Sequence, residues 1–115
     1  MKPKETVEYY LNDLFAKIDI FDIVIEGRNE FHELQKELEL TQSECKKYIR
    51  ALTYKDYLKG PTMDTINKGE YWEFGKKIKS ADVYIKINKG KARKSAICIS
   101  FHKANFKMTF PLINK

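Results

Sequence analysis

The hydrophobic period of this chain changes partway along, and that change limits the folds open to it. Up to about residue 52 apolar residues recur every three or four positions, as in helices that bury one face. From Glu70 onward they alternate, as in strands with one buried side. Helices first and an antiparallel sheet afterwards predict an α+β fold. At 115 residues the chain suits a single domain, with a helical part over about 1–60 and a sheet part over about 69–111.

The helical half divides by its apolar stripes and caps. Val7, Tyr10, Leu11, Leu14, Phe15 and Ile18 form the stripe of a first helix from Thr6, a candidate cap, to Ile18. The β-branched run Ile20 to Ile25 reads either as a short strand or as a buried connector, ended by Gly27. Residues Asn29 to Glu39 place Phe31, Leu34 and Leu38 on one helical face. Thr41 with Glu44 is a capping box for a third helix that buries Cys45, Tyr48, Ile49 and Leu52. Thr53 with Asp56 caps a further short turn, stopped by Gly60 and Pro61.

In the sheet half, Trp72, Phe74 and Lys76 oppose Tyr71, Glu73 and Gly75. Val83, Ile85 and Ile87 pack, while Tyr84, Lys86 and Asn88 face out. In SAICISFH, strict alternation puts Ala96, Cys98, Ser100 and His102 on one side and Ile97, Ile99 and Phe101 on the other. Met108 and Phe110 suggest a last edge strand, ended by Pro111. Trp72 is expected to pack.

Charge is split unevenly. Residues 1–52 hold 8 Lys and Arg against 11 Asp and Glu, whereas residues 53–115 hold 14 against 5, so all of the net +6 comes from the second half. A basic surface on the half that also carries the sheet aromatics points to a polyanion, with nucleic acid before membrane lipid. The acidic helices are expected to support the sheet from behind, so that charge reversal at Glu33 or Glu37 leaves the basic face working. No apolar run approaches the ~20 residues of a membrane helix, and the first residues lack the apolar block of a signal peptide. A cytoplasmic protein without a membrane partner is expected. Cys45 and Cys98 fit no metal-ligand spacing and read as buried thiols; nothing calls for a cofactor or a metal.

The turn LTYKDYLKGP and the three strand-like runs after it let one sheet face gather Lys59, Tyr84, Lys86 and His102 around a phosphate. Tyr57 and Tyr71 can stack on unpaired bases, and Lys89, Lys91, Arg93 and Lys94 make a basic hairpin tip around Gly90. His32 lies in the acidic half, apart from this set.

Over roughly residues 40–103 the chain resembles the MqsR family of bacterial toxin endoribonucleases, relatives of the RelE-like toxins. The matching blocks are Leu52-Thr53 with Tyr57 and Lys59, Trp72-Glu73, Val83-Tyr84-Ile85-Lys86 and Ile99-Ser100-Phe101. The resemblance implies a RelE-like fold and metal-independent cleavage of messenger RNA, with a cognate antitoxin as protein partner and the ribosome as a further candidate partner. It also implies active residues Lys59, Glu73 and Tyr84. Three departures stand out: Glu73 where the family has glutamine, a longer first helix, and His102 where a basic residue is expected after the phenylalanine.

Cleavage of this kind uses the 2′-hydroxyl of RNA as nucleophile. It therefore needs a base, an acid for the leaving 5′-oxygen, and cations for the charged transition state. Lys59 and Lys86 suit the last role; His102, the one side-chain type of this region that titrates near neutrality when unperturbed, is the favoured acid or base, while Tyr84 or Glu73 would need help from neighbours. Two other readings compete: a noncatalytic RNA- or DNA-binding module, and an interaction domain that pairs an edge strand such as Lys107 to Pro111 with a partner.

Overall fold

The structure, a computed structural model, describes residues 3–26 and 28–115. Its elements in chain order are helix α1 (Pro3–Phe21), strand β1 (Ile23–Ile25), helices α2 (Asn29–Leu38) and α3 (Gln42–Arg50), a 3-10 turn (Tyr54–Asp56), and strands β2 (Tyr57–Met63), β3 (Glu70–Ile78), β4 (Ala81–Asn88) and β5 (Ala96–Lys103). Among the described residues these strands make one mixed sheet in the order β1-β5-β4-β3-β2. The fold is α+β, with helices on one sheet face and the opposite, more open face covered only in part, by the tail 104–115.

One core joins the two layers. Val7, Leu11 and Leu14 of α1, Phe31 and Leu34 of α2, and Cys45 and Ile49 of α3 meet Trp72, Phe74, Val83, Ile85, Ile87 and Phe101 of the sheet. Aromatic contacts orient the layers: Tyr10 stacks on Trp72 at 4.2 Å, and Phe31 meets Phe101 edge-on at 5.7 Å. Arg50 donates two hydrogen bonds to Asp19 and lies over the Phe15 ring, which ties α3 to α1. The capping boxes at Thr41 and Thr53 are formed as expected.

Several expectations need correction. Helix α1 begins at Pro3, a residue suited to a first turn, so Thr6 lies inside the helix and is not its cap. The helix also runs on through Ile20 and Phe21, leaving Ile23–Ile25 as β1, which pairs in parallel with β5. The sheet is therefore mixed and not purely antiparallel. Gly27, expected to end this strand, lies outside the described residues.

Gly60 and Pro61 do not stop the chain; they lie within β2. An edge strand tolerates a residue without an N–H, and the β2 register shifts on both sides of Lys59. At Gly60 φ is +130°, and a Cβ would meet the Trp72 backbone at 3.0 Å, so glycine is what fits here.

Strand β5 carries a bulge. Lys86 pairs with Ser100 and Ile87 with Cys98, leaving Ile99 as the extra residue. Ala96 and Cys98 consequently share the core side with Phe101, while Ser100 and His102 are on the opposite side. Strict alternation had put the four on one face. Among the described residues, 104–115 hold no strand. Instead, Met108 and Phe110 lie over Gly75, where a Cβ would meet Met108 Sδ at 2.4 Å, and Leu112 is buried.

Candidate functional site

Cross-strand register sets residues of distant sequence side by side on the open face. Lys59 of β2 pairs with Glu73 of β3, Glu73 with Lys86 of β4, and Lys86 with Ser100 of β5. The neighbouring row is Gly75, Tyr84 and His102. Strands lie about 5 Å apart, so the backbones of Lys59 and Lys86 are about 10 Å apart with Glu73 between them. Register thus gives this row two lysines to one carboxylate, a net positive charge.

The centre of the face is a hydrogen bond. The Tyr84 hydroxyl donates to Glu73 Oε1 at 2.5 Å. Burial, and then this bond to a carboxylate, pushes the Tyr84 phenol well above its ordinary range. Tyr84 thus stays protonated at neutral pH and acts as a donor. Lys86 extends over the Tyr71 ring, with Nζ 4.6 Å from its centroid, which restricts where this long side chain points.

His102 is beside Tyr84, with ring centroids 5.5 Å apart, but its nitrogens face protein acceptors. Nδ1 is 2.9 Å from the Lys103 carbonyl, and Nε2 is 3.7 Å from a Glu30 carboxylate oxygen on α2. A shallow depression here is lined by Glu30, Glu33, Glu37, His102 and Lys103, with Lys103 bonded to Glu37 at 2.8 Å. The acid row of α2 therefore borders the open face at β5 and does not lie wholly behind the sheet. It also draws His102 away from the Tyr84–Glu73 pair.

The expected RNA contacts divide. Tyr71 is on the open face, but Tyr57 is on the helical side, edge-on to Trp72 and Phe74, with its hydroxyl donating to the Gly60 carbonyl at 2.6 Å. The shift of register between Tyr57 and Lys59 sends these near neighbours to opposite faces. In the hairpin tip, Lys89 is bonded to Asp13 of α1 and covers that side. Lys17 donates to the backbone carbonyls of Lys89 and Lys91, while Arg93 lines a groove against α1. Lys91 and Lys94 turn to the open-face side, along a depression shared with Lys68 and Ile97. Trp72 packs, at 6% exposure. Both cysteines are fully buried, and burial pushes the Cys45 thiol up to about 11.

Two groups escaped the sequence reading. Phe106, half-exposed, meets Tyr84 edge-on at 5.6 Å and walls one end of the face. Asn88, expected to face out, is on the open side yet only 3% exposed, because the loop between β2 and β3 covers it. Only the odd polar residue at the end of an otherwise regular strand hinted at it. Among the described residues no cluster of three or more His, Cys, Asp or Glu is arranged to hold a metal ion, and no helix is long and apolar enough to cross a membrane.

Comparison of the chain with protein-family models, with curated proteins and with solved structures finds no match in any of the three.

Proposed function

We propose that this protein is a metal-independent endoribonuclease that cleaves messenger RNA, the toxin of a toxin–antitoxin pair acting in the cytoplasm. One observation carries the reading: the 2.5 Å bond from Tyr84 to Glu73, on a carboxylate placed between Lys59 and Lys86 by register. The sequence resemblance supports it for Lys59 and Tyr84, which come from different strands and lie in neighbouring rows; Glu73 stands where the family has glutamine, so its role as base rests on the hydrogen bond and the register alone.

In this reading the phosphate sits over Glu73 between the two lysines. Glu73 takes the proton of the 2′-hydroxyl as its oxygen bonds to phosphorus. The bond to the 5′-oxygen breaks, that oxygen takes the Tyr84 proton, and Tyr84 recovers one from Glu73. The products are a 2′,3′-cyclic phosphate and a 5′-hydroxyl, with no net proton lost or gained. Lys59 and Lys86 stabilise the charge that builds on the non-bridging oxygens, a contribution of about 3–4 kcal/mol for a well-placed donor. His102, expected as the acid or base, has its Nδ1 against the Lys103 carbonyl and takes no step here, its place being beside Tyr84.

The test is incubation of the protein with a defined single-stranded RNA in EDTA, alone and on translating ribosomes, with mapping of the fragment ends. Cyclic phosphate ends that vanish in Lys59→Ala and Tyr84→Ala are expected. Glu73→Gln should slow cleavage by about 10²–10⁴-fold, the usual contribution of a general base. Full activity in Glu73→Gln would remove Glu73 from the base role. Binding without cleavage would assign the face to a noncatalytic RNA- or DNA-binding module.

A further inference from the structure

Taking its substrate class from the endoribonuclease reading, we infer that the depression at the Asn88 end of the open face is a second phosphate subsite, which grips the RNA backbone to one side of the cleaved bond. Lys68, Lys91 and Lys94 rim this depression, and its apolar lining is Ile66 and Ile97. All three lysines are exposed, and among the described residues none makes an ion pair. Ile66 is 87% exposed, which leaves its side chain open to a ligand at the edge of the depression. Cations around an apolar floor suit a phosphodiester that carries a base.

The depression is built by a buried polar pair that no catalytic step uses. Asp64 and Asn88 are 6% and 3% exposed. Asn88 Nδ2 donates to Asp64 at 2.9 Å and to the Lys68 carbonyl at 2.8 Å, while its Oδ1 accepts from Gly90 N at 2.7 Å. Asp64 accepts in addition from the backbone of Ile66 and Asn67 and from the Asn67 side chain. One side chain at the end of β4 thereby ties the loop bearing Lys68 to the loop bearing Lys91 and Lys94. Burying polar groups is costly unless they are bonded, and here the bonds hold two lysine-bearing loops at fixed separation.

Position completes the case. From Tyr84 to Asn88 is four residues along β4, about 13 Å. At the other end of the face, the Glu30, Glu33 and Glu37 row repels phosphate beside His102. A strand seated on Tyr84 and Lys86 is thus repelled at one end and attracted at the other.

The probe is a labelled single-stranded 2′-O-methyl RNA, which binds without supplying a nucleophile. Its affinity is measured across a salt series for the wild type, for the combined Lys68→Ala, Lys91→Ala and Lys94→Ala variant, and for Asn88→Ala. Loss of three phosphate contacts should flatten the slope of log affinity against log salt by about 2, at about 0.7 per contact for single strands, and lower low-salt affinity tenfold or more. Asn88→Ala keeps every lysine and should weaken binding in the same direction, with far-ultraviolet circular dichroism unchanged. An unchanged slope in the lysine variant overturns the subsite, even where cleavage of ordinary RNA is intact. A lysine-dependent slope in a protein that cleaves nothing supports the subsite and fells the nuclease reading instead. No binding by the wild type overturns the subsite.

Discussion

Tyr10 is packed against Trp72 and Phe74, yet its buried hydroxyl has no hydrogen-bond partner among the described residues. A donor left unmet in the core costs about 1–3 kcal/mol. Tyr10→Phe keeps the stacked ring and removes that cost, so urea denaturation should find the variant as stable as wild type or up to about 2 kcal/mol more so. Asp64 is the opposite case. Burial alone would raise its carboxyl, but hydrogen bonds from Asn67, Asn88 and Ile66 outweigh it and hold the group at about 2. The folded value is below the ordinary one near 3.9, so the stabilisation is present at higher pH and fades as pH falls from about 4 towards 2. Asp64→Ala should therefore be clearly less stable than wild type at pH 7, by about 1.5–3 kcal/mol, with the gap narrowing in melts towards pH 2. Neither property was legible in the sequence, where Tyr10 is one more member of an apolar stripe and Asp64 an ordinary loop acid.

At the scale of elements, periodicity located the helices and three of the strands because each buries one face, and burial leaves its mark on residue order. What it missed has a common cause. The Ile99 bulge, the shifts beside Lys59 and the parallel pairing of β1 are set by partners far along the chain. SAICISFH alternates without interruption, so no local signal marks the residue at which the faces swap. The row of Lys59, Glu73 and Lys86 was legible only as separate blocks, and the distance of His102 from it not at all, since Glu30 comes from another element. The tail illustrates the same point: Met108 and Phe110 look like alternate residues of a strand, but their contact is the bare backbone at Gly75. Gly75→Val should displace the tail, cost about 1–3 kcal/mol by overpacking, and free the backbone at the already exposed Lys107 for cleavage by trypsin under native conditions. A tail as resistant as in wild type would show that Gly75 does not hold it.

For the molecule as a whole, charge is arranged as a gradient across the open face, with the α2 acids at the β5 side and the unpaired lysines at the Asn88 end. The sequence showed the two halves but not that α2 reaches the rim beside His102. Glu33→Lys weakens the repulsive end, where Glu30 and Glu37 stay negative, and should tighten single-stranded RNA binding severalfold at low salt with the gain lost at high salt. Unchanged affinity would mean that the bound strand stays clear of that rim. The parallel pair β1–β5, at the β1 edge of the sheet, has a consequence in time. Ile23–Ile25 can join the sheet only through Ala96–Cys98, so an element made early in synthesis waits for one made near the end of this chain. Lys86 and Tyr84 likewise gain their β5 neighbours last. If the endoribonuclease proposal holds, the chain has no finished face to present to the messenger that encodes it while it is being translated.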